Sequence, residues 1–203
     1  MNVSVFVRCQ AFPCIDVNHG GYAIPVIDIT PERVSIVLIS EAAPEDPANG
    51  YYVPGSPLYA QTTLLAFQEA GAAVQSIADI LRLGVYLTTA VKCGKTGYGI
   101  RTGSIKECSR LLEQELALFP NVKAYLLMGD VAIQAVNAIA HRQGAPRAIP
   151  AGATYKIRGG TFTFRGARAF PSYLQAGPSF FIEKSKRRMI AEDIAAALAV
   201  ARA

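Results

Sequence analysis

Residues Ser35–Ser40 read SIVLIS, a short apolar run rich in β-branched side chains. A run of this kind is typical of a strand that is buried on both faces of a sheet. Two similar runs follow, VYLTTAV at residues 85–91 and AYLLM at residues 124–128. Stretches of helical periodicity separate them, the last running from Ser104 to about Leu118. Strands that alternate with helices predict a parallel sheet joined by right-handed crossovers.

The remaining part of the chain completes this pattern. The alternating segment Thr154–Ala169 predicts a hairpin that turns at Gly159–Gly160. A last helix is predicted from about Ile182 to Ala201. We therefore predict an α/β fold, a three-layer α/β/α sandwich with a short, mainly parallel, four-stranded central sheet, with residues 1–203 in a single domain.

Composition narrows the class of protein. Hydrophobic residues make up 51% of the 203 residues and charged residues 17%, which is typical of a globular chain. No run of about 18 apolar residues occurs and no secretory signal is recognisable, so we expect a cytoplasmic protein that does not enter the membrane. The net charge of +5 permits nucleic-acid binding without requiring it.

The expected place for a ligand follows from the topology, because parallel sheets bind ligands beyond the carboxyl ends of their strands. Three loops lie there in the predicted fold: residues 41–57, residues 92–103 and the segment after the hairpin. The first contains acidic and aromatic side chains, and the third contains aromatic and basic ones. The basic cluster of the third also fits a plain solvated helix start.

The four cysteines form two pairs along the chain. Cys9 and Cys14 lie near the start, whereas Cys93 ends the second buried strand and Cys108 lies in the following helix. Four thiolates can bind a tetrahedral metal ion or an iron–sulfur cluster. The spacing differs from that of a zinc ribbon, and free cysteines are common core residues, so a cluster, zinc and unligated thiols all remain open.

Several ordered segments resemble one family. Val91–Cys93 at a strand end, followed by Cys108 in a helix, is similar to the threonine-asparagine-x-valine-lysine-cysteine segment of the family-four iron–sulfur uracil-DNA glycosylases. Ser40–Pro44 (SEAAP) is similar to their glycine-glutamate-alanine-proline motif. Tyr51–Gly55 (YYVPG) lies where the family has its proline-phenylalanine-valine-glycine motif. Phe170–Leu174 (FPSYL) lies where the family has its histidine-proline-serine motif. The order of these segments is that of the family.

The resemblance implies roles for particular residues. Glu41 matches the motif acid that positions a water or stabilises the sugar cation, and Asp46 is a second candidate acid that also fits a helix cap. Tyr52 matches the aromatic residue that stacks on uracil. Thr89, Phe170 and Ser172 occupy substrate-binding positions of the family.

The resemblance also implies a DNA interface and a cofactor. Tyr173 and Leu174 would form an apolar wedge that fills the space left by a flipped base. A basic group would contact phosphates, namely Lys184, Lys186, Arg187 and Arg188. Cys9, Cys14, Cys93 and Cys108 would hold a 4Fe–4S cluster.

Two of these positions depart from the family. Thr89 replaces the asparagine that reads the uracil edge, and Phe170 replaces the histidine that stabilises the departing base. Neither His19 nor His141 lies where it could substitute, and both are expected to be structural or solvated.

Three functions therefore remain open. The first is a monomeric DNA repair glycosylase, which removes uracil or another deaminated base flipped out of DNA. The second is a non-catalytic, cluster-containing member that binds nucleic acid or a partner protein. The third is an α/β protein that binds free nucleotides at the same strand ends.

Overall fold

The computed structural model of the protein describes all 203 residues and contains one six-stranded sheet. Its strands lie in the spatial order β1-β3-β2-β4-β6-β5. In chain order they are β1 (Val17–Asn18), β2 (Ile36–Ala43), β3 (Val85–Lys95), β4 (Ala124–Met128), β5 (Phe162–Phe164) and β6 (Ala167–Ser172). The four central strands are parallel, and the two edge strands pair antiparallel with their neighbours.

Six α-helices accompany the sheet. They are α1 (Leu58–Glu69), α2 (Ile77–Arg82), α3 (Thr102–Leu116), α4 (Asp130–Arg142), α5 (Thr154–Ile157) and α6 (Lys184–Arg202). Residues from α3 and α4 pack on one face of the sheet in a single apolar cluster. Residues from α1, α2 and α6 pack on the other face in a second cluster. The predicted three-layer α/β/α architecture is therefore confirmed.

Two details of the prediction were wrong. The sheet has six strands rather than four, because short antiparallel strands β1 and β5 extend its edges. The hairpin turns at Arg165–Gly166, where both residues have positive φ, and not at Gly159–Gly160. The earlier part of that segment forms helix α5 instead of a strand.

The three long apolar runs form β2, β3 and β4 as predicted. Residues of β2 and β4 are almost entirely buried, because helices cover both faces of the sheet. Strand β2 lies at the centre, with β3 on one side and β4 on the other. The connections from β2 and β4 therefore leave in opposite directions, and a crevice opens between their carboxyl ends.

A buried ion pair joins β3 to α3. Lys92 and Glu115 have fully buried side chains and form a salt bridge, and Glu115 Oε1 also accepts hydrogen bonds from Tyr86 Oη at 2.6 Å and Thr88 Oγ1 at 2.9 Å. Lys92 Nζ donates as well to the Thr89 carbonyl at 2.6 Å. The pair is thus fully hydrogen-bonded, as buried charges require.

None of the helices combines the length and the apolar character that a membrane span requires.

Candidate active site

A cavity of about 310 Å³ opens at the carboxyl ends of β2, β4 and β6. Glu41 from β2, Gly129 and Asp130 at the start of α4, and Ser172 from β6 line it. We call it the acid cavity. It lies at the point between β2 and β4 where parallel sheets most often bind ligands. The sheet topology therefore brings the predicted catalytic acid to the expected edge.

Glu41 has one anchored and one free carboxylate oxygen. Lys95 Nζ, at the end of β3, donates to Glu41 Oε2 at 3.0 Å. Oε1 accepts no hydrogen bond from the protein, and only 15% of the side chain is exposed. Gly129 leaves room for the carboxylate because it has no side chain and adopts φ +99°. The free oxygen is thus available to a water or a sugar in the cavity.

Ser172 is held in the wall of the acid cavity by a hydrogen-bond chain. Its hydroxyl donates to Asp193 Oδ2 of α6 at 2.6 Å. Arg158 donates to both oxygens of Asp193, from Nε at 3.1 Å and from Nη2 at 2.9 Å. Burial alone would lower the pKa of Arg158, but the hydrogen bonds to Asp193 outweigh it and raise that pKa. These hydrogen bonds fix the middle of α6 against the end of β6.

The basic residues predicted to contact phosphates surround this site. Lys186 and Arg187 line the acid cavity, whereas Lys184 and Arg188 are exposed beside it. Three of them form ion pairs on the surface: Lys186 with Glu183, Arg187 with Glu69 and Arg188 with Glu192. Lys184 forms none. Exposed pairs of this kind contribute little to stability, so phosphates can displace them.

Tyr173 and Leu174 lie deeper than a wedge would. Both line the acid cavity and are partly buried against the core cluster of α1, α2 and α6. Lys186 Nζ lies over the Tyr173 ring, 5.4 Å from its centroid. The two side chains form the inner wall of the cavity and not a projection from the protein surface.

A second cavity, of about 210 Å³, lies on the β3 side of β2. Tyr51, Tyr52, Tyr59 and Thr89 line it, and we call it the tyrosine cavity. Tyr59 lies close to the acid of the other cavity, because its hydroxyl donates at 3.3 Å to the carbonyl of Ala42, which follows Glu41 in the chain. Burial, and then the charge of Glu41, raise the pKa of Tyr59 to about 12. The two cavities are therefore neighbours.

Tyr52 is held rigidly in the tyrosine cavity. Its hydroxyl donates to the Leu87 carbonyl at 2.8 Å and accepts from the Leu87 amide at 3.0 Å. These groups lie on the edge of β3 that β1 does not reach, since β1 pairs only with Gly94 and Lys95. Burial raises the pKa of the Tyr52 phenol well above its ordinary value, although the hydrogen bond with Leu87 lowers it, so the phenol stays neutral.

The expectation that acid and aromatic ring share one slot was wrong. Glu41 lies in the acid cavity and Tyr52 in the tyrosine cavity, because the backbone bonds to Leu87 hold Tyr52 over β3 while Glu41 lies against Gly129 at the end of β4. A ligand that contacts both must span the two cavities.

Two other predicted residues lie outside both cavities. Asp46 is exposed and accepts a hydrogen bond from the Ala48 amide at 2.9 Å, so it caps the short helical turn Pro47–Asn49. Phe170 is buried in β6 opposite Leu126, under the Arg168 guanidinium, because an apolar ring at that position packs into the core. The structure thus places neither Asp46 nor Phe170 in a cavity where the predicted role in catalysis or substrate binding would be carried out.

The four cysteines line one further cavity, of about 660 Å³. Burial raises the pKa of the Cys93 thiol to about 12 and that of Cys108 to about 11, and the negative charges of neighbouring cysteines add to both shifts. No three His, Cys, Asp or Glu side chains lie close enough together to hold a single metal ion. A four-iron cluster binds each thiolate to a different iron atom, so its ligands are more widely separated. Four thiols that line one cavity supply the type of ligand that such a cluster uses.

Two contacts to these sulfurs were missed by sequence reasoning. His19 Nδ1 lies 3.4 Å from Cys93 Sγ, and the Lys92 amide donates to Cys108 Sγ at 3.1 Å. His19 is 74 positions from Cys93, so only the fold brings them together. Only the position of Lys92, next to Cys93 in the chain, could be read from the Val91–Cys93 segment.

Comparison with known proteins defines the class. A family model described as the uracil DNA glycosylase superfamily matches residues 27–194, which include β2 to β6 and most of α6. The chain therefore belongs to the uracil-DNA glycosylase superfamily. The matched residues include the whole lining of the acid cavity.

A particular relative is a type-5 uracil-DNA glycosylase from Thermus thermophilus. The two chains are 36% identical over 83 residues. The match spans 40% of this chain and only 38% of the relative. The superfamily prediction is confirmed, and this relative is a type-5 enzyme rather than a family-four one.

Proposed function

We propose that the protein is a DNA glycosylase that hydrolyses the N-glycosidic bond of uracil, or of another deaminated base, after the base has left the duplex. The observation that carries the proposal is the position of Glu41, whose unpaired Oε1 lies in a cavity at the central strand ends with basic side chains beside it. Membership of the superfamily supports the reaction class.

Glu41 would act on the sugar. Breaking the glycosidic bond gives the sugar oxocarbenium character and leaves negative charge on the base. Oε1 can orient a water towards the anomeric carbon or stabilise the cation directly, while Lys95 holds Oε2. The start of α4 at Gly129–Asp130 supplies the positive end of a helix dipole on the same cavity.

The flipped base would enter the tyrosine cavity. The rings of Tyr51, Tyr52 and Tyr59 supply aromatic surface, and Thr89 supplies one hydroxyl. A base stacks on such rings whatever its identity, whereas one hydroxyl contacts at most one or two atoms of its edge. With the sugar at Glu41 and the base at Tyr52, the nucleotide would occupy both neighbouring cavities.

We further propose that Cys9, Cys14, Cys93 and Cys108 hold a 4Fe–4S cluster. All four line one cavity, and they come from the start of the chain, from β3 and from α3. Such a cluster would supply a structural cross-link between these segments. It would thereby fix the end of β3, from which Lys95 reaches Glu41.

A non-catalytic function remains the second candidate. Phe170 is buried in the core, and no histidine lines the acid or the tyrosine cavity, so neither of them carries an imidazole for the departing base. A protein of this kind would bind DNA and leave the base in place.

The deciding assay follows the formation of abasic sites in oligonucleotides that contain uracil, hypoxanthine or xanthine. The proposal predicts abasic sites with at least one of them, and none with the Glu41→Ala variant, which also controls for a contaminating glycosylase. DNA binding without base release would support the non-catalytic function. Binding of free nucleotides without salt-sensitive DNA binding would support a nucleotide-binding protein instead.

A further inference from the structure

The side-chain amide of Gln175 is fully buried at the boundary of the two cavities. Gln175 lies between β6 and α6 and follows Leu174, which lines the acid cavity. Its Nε2 donates at 2.8 Å to the hydroxyl of Tyr51, which lines the tyrosine cavity. Nε2 also donates at 3.1 Å to the hydroxyl of Ser40, which precedes Glu41 in β2. One amide therefore links the strand that carries the acid to the aromatic wall of the other cavity.

Every polar group around this amide is hydrogen-bonded. The hydroxyls of Ser40 and Tyr51 are bonded to each other, and Ser40 Oγ donates to Gln175 Oε1 at 3.3 Å. Thr63 Oγ1 of α1 accepts from Gln175 Nε2 at 3.3 Å. Burial raises the pKa of Tyr51 well above its ordinary value, although its hydrogen bonds with Ser40 and Gln175 lower it, so the hydroxyl keeps its proton. Ser40, Tyr51, Thr63 and Gln175 together are called the Gln175 network.

Both chain neighbours of Glu41 are anchored to residues of the tyrosine cavity. Ser40, on one side, is bonded to the hydroxyl of Tyr51. Ala42, on the other side, accepts a hydrogen bond at 3.3 Å from the hydroxyl of Tyr59. The backbone of the acid is therefore held from the cavity in which we place the base.

Stability alone does not require polar groups at this place. The network adjoins the apolar cluster of α1, α2 and α6, to which Tyr51 and Ala176 belong. Apolar side chains of the same shape would fill the space with little loss of stability, or with none. Hydrogen bonds that are all satisfied add directional constraints, which fix one arrangement of a core. In this protein they fix the spacing between the acid and the tyrosine rings.

We propose that Gln175 is a positioning residue, which acts through Ser40 and Tyr51 to set the distance between the Glu41 carboxylate and the rings that receive the base. The inference rests on the proposed function, because it assumes that sugar and base occupy the two neighbouring cavities. Gln175 is fully buried and touches neither of them. Loss of the network should slow the chemical step and leave DNA binding nearly unchanged, since a misplacement of about 1 Å costs about 100-fold in rate.

The test is Gln175→Met, which keeps the length of the side chain and removes the amide, while Ser40 and Tyr51 can still bond to each other. We expect the single-turnover rate of uracil release to fall about 10–100-fold. Affinity for DNA should stay within about twofold of the wild type, because the binding contacts remain. Affinity is measured on a duplex that contains 2′-fluoro-deoxyuridine, whose fluorine disfavours the oxocarbenium ion and so prevents release of the base.

Two further variants accompany it. Gln134→Met removes an exposed amide of α4 that makes no hydrogen bond within the protein, and it should match the wild type. Tyr51→Phe keeps the ring and removes only the hydroxyl, so it carries the test if Gln175→Met does not fold. We expect Tyr51→Phe to lose about tenfold in rate at unchanged affinity. Gln175→Met/Tyr51→Phe should lose less than the product of the single losses, because both changes break one network.

The outcomes separate the positioning role from the chemistry. Wild-type rates in Gln175→Met, or in Tyr51→Phe where that variant carries the test, would overturn the positioning role and leave the proposed function intact. A loss of rate matched by an equal loss of affinity would also overturn it, because the network would then serve binding or folding alone. Absence of base release by the wild type would refute the proposed function and the positioning role with it.

Discussion

The carboxylate of Glu41 lies where a side chain of residue 129 would otherwise be. A β-carbon built on Gly129 would lie 2.7 Å from Glu41 Oε1 and 2.8 Å from its Cγ. Gly129 also has φ +99°, a conformation that glycine adopts readily and other residues rarely do. The turn from β4 into α4 thus shapes the space for the acid of β2.

Gly129→Ala should therefore displace Glu41. We expect uracil release to fall by about 100-fold, since a shift of about 1 Å in a catalytic group can have that effect. Gly71→Ala is the matched control, because Gly71 has φ +84° and its added β-carbon would meet nothing within 4 Å. If both variants lost activity equally, the cause would be backbone strain at a positive φ and not contact between the new side chain and Glu41.

Tyr52→Phe should reduce stability and retain base stacking. Without the hydroxyl, the amide and carbonyl of Leu87 lose a shared partner, which should lower the free energy of unfolding by about 1–3 kcal/mol. Urea denaturation measures this change. Tyr98→Phe is the control, because Tyr98 is fully exposed and its hydroxyl makes no hydrogen bond within the protein. A loss as small as that of the control would mean that water replaces the hydroxyl at Leu87.

Removal of one member of the Lys92–Glu115 pair should destabilise the fold strongly. Lys92→Met leaves the Glu115 carboxylate buried without its cation, which should cost about 3–5 kcal/mol. Lys92→Met/Glu115→Leu should cost less than the sum of its single changes, because no lone charge remains. Chemical denaturation of all three variants, with exposed Lys106→Met as the control, gives the comparison. Additive losses would show that the two side chains are not coupled.

The cysteine cavity gives a spectroscopic prediction. Protein purified without oxygen should be brown, with broad absorption near ~400 nm and equal amounts of iron and sulfide. Cys93→Ser should lose the colour. Removal of iron with a chelator should lower Tm, because the start of the chain is then no longer joined to β3 and α3. Colourless protein with stoichiometric zinc, or with no metal, would refute the cluster.

Much of the fold follows from local pattern. The runs that form β2, β3 and β4 were predicted because β-branched apolar residues between breakers have few alternatives to a buried strand. The hairpin was misplaced because two adjacent glycines resemble a turn more closely than Arg165–Gly166 does. Arg165 adopts φ +51°, which its residue type does not predict.

The site was only partly predictable. Glu41 was identified because a motif acid at a strand end must lie at the ligand-binding edge. The separation of Tyr52 from Glu41 depends on the bonds to Leu87, 35 residues away. His19 beside Cys93 has no local signal at all. Such contacts between distant segments are absent from a single sequence.

The most direct test is the single-turnover rate of uracil release from an oligonucleotide by Glu41→Gln and Asp46→Asn beside the wild type. We expect Glu41→Gln to be slower by about 10²–10⁴-fold with nearly unchanged DNA affinity, because only the carboxylate charge is lost. Asp46→Asn, at an exposed helix cap, should match the wild type. Wild-type rates in Glu41→Gln would refute a catalytic role for the Glu41 carboxylate.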